Sequence, residues 1–326
     1  MKVLLTGASG FVGSHILDSL RRRGLATALL LRPSSNKRFI EPHLPDVEVR
    51  PGSIGDPESL RQAMPGITHV IHCAGAIKAG RAAEFYEVNQ AGTRNMVAAI
   101  NGQGGQVRRL VHISSLAVAG PAVPEKPARE DAAPAPVSEY GKSKLAAELE
   151  VRNHCRAEYV ILRPPAVYGP RDMEFLRLFR TVKSHLLPKF GRAQPCSLVF
   201  VRDLAETVAG CLDLPAASGK TYFVASREVV TGQVIAEEVA AQMKVWTLPL
   251  PLPAALWWPI CLARELWSRL TGRSNVLSLQ KLAELRAPGW VCDPTRLERE
   301  TGCVCATTLK AGVAETLSWY RQHNWL

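Results

Sequence analysis

The first half of the chain alternates between short apolar runs and longer stretches with apolar residues every three or four positions. Uninterrupted short runs predict strands buried on both faces, and the longer pattern predicts amphipathic helices. Strands that alternate with helices form parallel sheets. The predicted strands are 2–5, 27–31, 47–50, 69–73, 109–113 and 159–162, and the predicted helices lie near 10–23, 57–63, 82–100, 138–155 and 309–321.

This order predicts an α/β fold, a Rossmann-type doubly wound parallel sheet whose ligands lie at the carboxyl ends of its strands. After about residue 165 the regular alternation of strands and helices ends, because prolines divide the chain into shorter elements. We therefore expect a core formed by residues 1–165. Residues 166–326 would be mostly a smaller C-terminal lobe, with some segments returning to the core.

The first predicted strand runs directly into three glycines spaced three apart, Gly7, Gly10 and Gly13. Gly7 would allow a tight turn, Gly10 would let backbone N–H groups approach a pyrophosphate, and Gly13 would let the helix pack closely on the strand. The N-terminus of the helix would then face the phosphates with the positive end of its dipole. Glycine-rich turns also occur for purely steric reasons, so the motif alone leaves a structural role open.

Charge and cysteine content narrow the class of protein. The formal net charge of +11 points to an anionic partner, such as a phosphorylated cofactor, an acidic substrate or a membrane surface, although a solvated basic surface would also account for it. No arginine-rich tract with interleaved aromatic residues suggests nucleic acid. The eight cysteines include no C-x-x-C pair, which favours a reducing cytoplasm and predicts no metal site.

One uncharged run, residues 245–263, is long enough to be compared with a membrane span. It contains four prolines, which would break a spanning helix. Its tryptophans and leucines leave three interpretations open: the wall of an apolar substrate pocket, ordinary core, or a patch on a membrane surface, since Arg264, Arg269 and Arg273 follow it.

Three polar residues lie after a predicted strand or near the start of a predicted helix. Tyr140 and Lys144 are four apart and would share one helix face. An ammonium beside a phenol favours the phenolate, so Lys144 would lower the pKa of Tyr140 toward neutrality. Ser115 follows the strand 109–113, where it could contact a substrate or merely cap the loop. Tyrosine and lysine at this spacing are also common as surface neighbours.

The order of the motifs along the chain is more specific than any one of them. The motifs are T-G-x-x-G-x-x-G from Thr6, His72-Cys73-Ala74-Gly75, Val88-Asn89-Gln90-Ala91-Gly92-Thr93, Ile113-Ser114-Ser115, Tyr140-x-x-x-Lys144 and Leu162-Arg163-Pro164-Pro165-Ala166-Val167-Tyr168-Gly169-Pro170. This order resembles that of the extended short-chain dehydrogenase/reductase superfamily, the NAD-dependent epimerase/dehydratase family. Dihydroflavonol reductase and 3β-hydroxysteroid dehydrogenase-like members are the most similar in character.

The resemblance implies roles for these positions. Tyr140 would exchange a proton with the substrate oxygen, Ser115 would hydrogen-bond that oxygen, and Lys144 would hold the nicotinamide ribose. Asn89 would support the lysine, and the core would bind the cofactor while the lobe binds the substrate. The residues expected to contact the cofactor are Gly7, Gly10, Phe11, Val12, Gly13, Arg32, Ser53, Ile54, Ala74, Gly75, Asn89, Tyr140, Lys144, Pro164 and Val167.

The residue after the second strand bears on the choice of cofactor. That residue is Arg32, where an Asp or Glu would grip a ribose 2′-hydroxyl. A guanidinium can bind a 2′-phosphate with two hydrogen bonds, so NADP(H) is expected rather than NAD(H). Stacking of Arg32 on the adenine would suit both cofactors. Ser53 stands where many relatives have an Asp that accepts the adenine amino group.

The substrate is expected to be apolar. Nucleotide-sugar enzymes of this class often carry an Asn, near the substrate diphosphate, where this chain has Ala166. The resemblance thus implies an NADP(H)-dependent oxidoreductase that interconverts a ketone and a secondary alcohol on a steroid-, flavonoid- or acyl-like molecule. The alternatives are a sugar-nucleotide epimerase or dehydratase with bound nicotinamide, and a non-catalytic NADP-binding sensor or scaffold. A homodimer, through helices 82–100 and 138–155, and peripheral membrane contact complete the expected partners.

Overall fold

Twelve strands are present in the parts of the chain that the computed structural model describes, which are residues 1–190, 193–252, 284 and 286–326. The strands are β1 (Lys2–Thr6), β2 (Ala26–Leu31), β3 (Glu48–Pro51), β4 (His69–His72), β5 (Arg109–Ile113), β6 (Glu158–Arg163), β7 (Ala166–Tyr168), β8 (Leu186–Phe190), β9 (Pro195–Phe200), β10 (Lys220–Phe223), β11 (Val229–Thr231) and β12 (Leu248–Leu252).

Most helices of the described residues lie between these strands. The helices are α1 (Phe11–Arg22), α2 (Pro57–Gln62), α3 (Ala82–Phe85), α4 (Gly92–Asn101), α5 (Glu139–His154), α6 (Met173–Lys183), α7 (Val201–Gly210), α8 (Gly232–Met243), α9 (Thr295–Thr301) and α10 (Leu309–Gln322). Short 3₁₀ turns occupy Glu41–Asp46, Leu116–Val118, Cys211–Asp213 and Pro215–Ala217, and a π-helical turn, Tyr86–Ala91, joins α3 to α4.

The main sheet has seven strands in the order β3-β2-β1-β4-β5-β6-β10, and every neighbouring pair is parallel. The direction in which strands are added reverses between β1 and β4, so a crevice opens at their carboxyl ends. This is the expected α/β doubly wound sheet. Two smaller sheets have the orders β11-β9-β7 and β12-β8.

Both faces of the main sheet are buried except at the edge strand β3, whose residues are exposed or only partly buried. Val3 and Leu5 of β1 pack in the cluster that includes α1 and α7, whereas Leu4 packs in the cluster that includes α4. Each of the three side chains is fully buried. Because alternate residues enter two separate apolar layers, these strands contain no polar alternation, which is why they read as uninterrupted apolar runs.

A third cluster belongs to the second half of the chain. It joins Phe179 of α6, Phe200 of β9, Val239 of α8 and Tyr320 of α10, all fully or almost fully buried. The same half also supplies β10, which extends the main sheet beside β6, and α7, which packs on α1. The division at residue 165 into a cofactor core and a substrate lobe stays a prediction.

The predicted strands and most predicted helices are confirmed to within one residue at each end. The predicted helix 82–100 differs, because the π-helical turn Tyr86–Ala91 interrupts it. Of the run 245–263, the described residues end at Leu252, within β12, and the rest of the run lies outside them, as do Arg264, Arg269 and Arg273. None of the helices in the described ranges has the length and apolar character needed to cross a membrane.

Candidate active site

The turn between β1 and α1 is shaped by contacts that only glycine permits. Gly7 has a φ of +77°, and a Cβ placed on it would lie 2.7 Å from the backbone nitrogen of Ala74. A Cβ on Gly13 would lie 2.0 Å from the carbonyl oxygen of Gly7. On Gly10 the nearest atom would be 3.3 Å away. Gly7 and Gly13 are therefore required by the protein itself, whereas Gly10 is much less constrained by its neighbours.

The N-terminus of α1 is suited to an anion. Gly10 occupies the N-cap position, no side chain of the described residues caps the helix, and its first turn carries no acidic residue. Phe11 and Val12 open this turn. The first N–H groups of a helix lack partners within it and lie at its positive end. The cradle thus fits the pyrophosphate of a dinucleotide.

The residues expected to contact adenosine lie at the ends of the next two strands. Arg32 directly follows β2 and its side chain is exposed. After β3, the backbone nitrogen of Ser53 donates to Ser59 Oγ at 3.0 Å, and Asn95 Nδ2 donates to the Ile54 carbonyl oxygen at 3.0 Å. Since β2 and β3 are parallel neighbours, these residues share one edge of the sheet.

Asn89 ties the loop after β4 to α5. Its Oδ1 accepts from the Ala76 backbone nitrogen at 2.8 Å, and its Nδ2 donates to Ser143 Oγ at 2.9 Å. A Cβ on Gly75 would lie 3.0 Å from Asn89 Oδ1, so this loop passes close to the amide. The preceding Ala74 donates its N–H to Thr6 Oγ1 at 3.1 Å. Asn89 lies in the π-helical turn, a feature common at functional sites.

The start of α5 approaches the loop after β5 closely. Ser138 caps the helix by accepting from the Gly141 backbone nitrogen at 3.1 Å. A Cβ on Gly141 would lie 2.6 Å from the Ala117 carbonyl oxygen, so a larger residue would separate the two segments. This approach brings Tyr140 into a side-chain hydrogen bond with Ser115. Ser115 Oγ also accepts from the Ala117 backbone nitrogen at 3.2 Å, so it caps the loop as well.

Lys144 is 5% exposed and its Nζ donates to the Ile113 carbonyl oxygen at 2.6 Å. Burial lowers the pKa of Lys144 to about 8, and the Cys73 thiol and the Glu148 carboxyl act in the opposite direction. Because about 8 is still above neutral pH, the ammonium form predominates there.

The expected effect of Lys144 on Tyr140 is not observed. Burial raises the pKa of Tyr140 above its ordinary value, and the hydrogen bond with Ser115 offsets part of this rise. The reason is geometric, because the Lys144 ammonium is directed at the end of β5. Tyr140 therefore stays protonated at neutral pH.

Pro164 and Val167 complete this side of the crevice. The Pro164 carbonyl oxygen accepts from the Leu116 backbone nitrogen at 2.8 Å, which fixes the end of β6 beside Ser115. Val167 lies in β7 opposite Val199 of β9 and packs against the main core. Ala166 at the start of β7 is exposed, and its methyl group offers no hydrogen bond.

Two polar networks behind the site were not predicted from the sequence. In one, His72 bridges Thr6 Oγ1 (2.9 Å) and Thr93 Oγ1 (3.2 Å), and the latter donates to the Asn89 carbonyl oxygen at 2.6 Å. In the other, Glu148 binds Arg163, Arg152 and Ser114. The sequence does contain a signal for the second network. Glu148 is a charged residue on the helix face that carries Lys144, and Arg163 is a charged residue at the end of the apolar strand β6.

Among the described residues, no group of three or more His, Cys, Asp or Glu side chains is placed to hold a metal ion. At one end of the carboxyl edge of the sheet, the glycine turn and the N-terminus of α1 form a cradle that fits phosphates. At the other end lie a protonated phenol, Tyr140, a hydroxyl, Ser115, and a buried cation, Lys144.

Comparison with known proteins identifies the family to which the chain is similar. The model of the NAD dependent epimerase/dehydratase family matches residues 3–225. Ceramide reductase of Caulobacter vibrioides is 31% identical over 99% of this chain and 96% of its own length, and UDP-glucose 4-epimerase of Vibrio cholerae is 27% identical over 99% and 96%. The crystal structure of the Thermus thermophilus UDP-glucose 4-epimerase in complex with NAD has a TM-score of 0.77 and 25% identity, covering 98% of this chain and 99% of that one.

The contact between Gly13 and Gly7 makes the cradle sensitive to a single methyl group. We expect Gly13→Ala to lower the free energy of unfolding by about 3 kcal/mol, measured by urea denaturation, and to abolish binding of a nicotinamide nucleotide, measured by fluorescence. Gly232→Ala is the matched control, since a Cβ there meets nothing within 4 Å. Wild-type stability and nucleotide binding in Gly13→Ala would contradict this account of the turn.

Proposed function

The chain belongs to the NAD dependent epimerase/dehydratase family, and we propose that it is a reductase that converts a ketone on a hydrophobic small molecule to a secondary alcohol. Family membership makes it an enzyme of the extended short-chain dehydrogenase/reductase type with a nicotinamide nucleotide cofactor. The observation that carries the proposal is the meeting of Ser115, Tyr140 and Lys144 at the carboxyl edge of the sheet.

The protonation states of the site favour reduction. A bound nicotinamide nucleotide supplies the hydride. Tyr140 is positioned to donate its phenolic proton to the carbonyl oxygen, and its raised pKa keeps that proton available at neutral pH. Ser115 would hydrogen-bond the same oxygen. The Lys144 ammonium, which is directed at the end of β5, would hold the nicotinamide ribose.

Two features support an apolar substrate over a nucleotide sugar. Ala166 is exposed at the start of β7 and cannot hydrogen-bond a diphosphate. The ceramide reductase of C. vibrioides, which this chain resembles along almost its whole length, is named for a lipid substrate. The similarity to the V. cholerae UDP-glucose 4-epimerase supports the alternative, an epimerase. A sensor or scaffold would have no need to bring Ser115, Tyr140 and Lys144 together.

We infer NADP(H) as the cofactor, with Arg32 as the discriminating residue. Arg32 is exposed at the end of β2, the position from which a side chain reaches the adenosine ribose. The T. thermophilus epimerase structure contains NAD, so the inference depends on the guanidinium of this chain rather than on that relative.

An exposed apolar surface around β8 and β12 supports contact with a membrane. Leu186, Trp246 and Leu248 are 41%, 67% and 60% exposed. They are contiguous, because Leu186 of β8 pairs with Leu248 of β12. Trp246 stacks on His185, which precedes Leu186, with the two ring centroids 4.2 Å apart. The exposed Lys183 and Lys244 flank them. Tryptophan beside lysine is typical of proteins at lipid interfaces. The homodimer and the cytoplasmic location stay predictions.

Ketone reduction can be tested directly. We expect the protein to consume NADPH stoichiometrically with at least one member of a panel of aromatic, steroid and acyl ketones, followed by absorbance. Tyr140→Phe should lower kcat by about 10³-fold and leave nucleotide binding unchanged, while Tyr159→Phe, on β6 away from the site, retains activity. Co-purification of a tightly bound nucleotide, no net consumption and interconversion of UDP-sugars would instead establish the epimerase.

The cofactor preference rests on one side chain. We expect Arg32→Asp to raise the Kd for NADPH by about 10- to 100-fold, because a charge-assisted pair is replaced by repulsion, and to change the Kd for NADH by less than about threefold. Arg299→Asp controls for overall charge, since Arg299 is exposed on α9, outside the site. Equal losses for both nucleotides would refute the assignment.

Membrane contact has a separate test. We expect the protein to sediment with vesicles of phosphatidylglycerol and phosphatidylcholine, and Trp246→Ser with Leu248→Ser to weaken this binding by about tenfold or more, because two exposed apolar side chains are lost. Val304→Ser is the control, since Val304 is 57% exposed elsewhere. Equal sedimentation of all three proteins would show that this surface does not bind the bilayer.

A further inference from the structure

Glu148 is a charged residue buried where charge is costly. Its side chain is 0% exposed, and its main partner Arg163 is 1% exposed. Arg163 donates from Nε to Oε1 at 2.8 Å and from Nη2 to Oε2 at 2.7 Å, so the two planar groups are held in one orientation. A buried ion pair of this kind is often no more stabilising than apolar residues of similar volume. Stability alone therefore does not account for its presence.

The same carboxylate has two further donors. Ser114 Oγ donates to Oε1 at 2.6 Å, and Arg152 Nη2 donates to Oε2 at 3.0 Å. Ser114 is 4% exposed, so its hydroxyl has little access to water. Each carboxylate oxygen thus accepts two hydrogen bonds, and the orientation fixed by Arg163 also fixes the hydroxyl of Ser114.

The three segments that meet at Glu148 each continue into the candidate site. Ser114 precedes Ser115, Arg163 precedes Pro164, and Lys144 lies one turn before Glu148 on α5. Two backbone hydrogen bonds, Ser114 N to Leu162 O at 2.7 Å and Leu116 N to Pro164 O at 2.8 Å, join the same strand ends. A displacement of the carboxylate would therefore move the Ser115 hydroxyl, the Lys144 ammonium and Pro164 relative to one another.

We propose that Glu148, with Ser114 and Arg163, is a positioning group that sets Ser115 and Lys144 in register for proton transfer. This rests on the proposed reductase function. Glu148 touches neither substrate nor cofactor and acts through its neighbours. It also contributes electrostatically, since its carboxylate raises the pKa of Lys144 against the effect of burial.

Ser114→Ala removes one hydrogen bond to the Glu148 carboxylate and leaves no buried charge without its partner. We expect kcat for ketone reduction to fall by about tenfold, because small misplacements of reacting groups are costly, while KM for the nucleotide stays unchanged. Arg109→Met is the matched control: Arg109 is a buried arginine at the opposite end of β5, paired with Glu158 of β6. It should lower the melting temperature and leave kcat unchanged. A wild-type kcat in Ser114→Ala would overturn the proposal.

The effect of the Glu148 charge on the pKa of Lys144 is tested by a titration that needs neither substrate nor cofactor. In the full-length protein with ¹³C-labelled lysine, with the Lys144 signal assigned by its absence in Lys144→Met, we expect a midpoint near 8. In Glu148→Gln the midpoint should be lower, because the anion that favours the ammonium is lost. The pH above which activity declines should also be lower in Glu148→Gln than in the wild type. An unchanged midpoint would contradict the electrostatic contribution.

Glu148→Gln leaves Arg163 without an anion and can unfold the protein, so a second variant separates stability from positioning. Glu148→Leu combined with Arg163→Met replaces both charges by apolar groups and is expected to restore most of the stability, with kcat still reduced about tenfold. A folded double variant with wild-type kcat would show that the pair is only structural. If the wild type reduces no ketone, the proposed function fails, and the Lys144 midpoint still decides whether Glu148 acts on Lys144.

Discussion

The burial of both faces of the parallel sheet governs the rest of this structure. Each central strand sends alternate side chains into two dry layers, so polar groups have no place along its length and appear where it ends. Because all seven strands run the same way, their carboxyl ends share one edge. Ser53, Ala74, Ser115 and Pro164 all lie there, and the site is a consequence of how the core is built.

Exclusion of water also sets the electrostatics of that edge. Burial lowers the pKa of Lys144 to about 8 and raises that of Tyr140, so both groups are held closer to their neutral forms than in water. The protein offsets part of this with particular contacts, the Ser115 hydroxyl for the phenol and the Cys73 thiol and Glu148 carboxyl for the ammonium. A site arranged in this way holds a proton on Tyr140, which the proposed reduction of a carbonyl requires.

Much of the fold could be predicted because the relevant signals are local. Five of the strands from β1 to β6 are largely apolar runs, β3 is a polar edge strand, and all six were predicted to within a residue at each end. The three glycines identified the turn before α1. The elements between residue 166 and α10 were not predicted. Among them, β7 has three residues and β8 and β12 contain prolines, so neither period nor propensity distinguishes them from loops. The longer helices α6, α7 and α8 and the strands β9 and β10 were missed as well. The π-helical turn at Asn89 was also missed, because one extra residue in a helical turn leaves the apolar pattern nearly unchanged.

The sequence by itself determined the class of sheet, the position of the phosphate cradle and which residues stand at the strand ends, since each depends on spacing along one segment. Only the tertiary structure decided what those residues do to one another. It directs the Lys144 ammonium to the end of β5, pairs Tyr140 with Ser115, and buries Glu148 between Ser114 and Arg163. These contacts join residues distant in sequence, and their strength depends on a dry surrounding that forms only when the separate segments pack together.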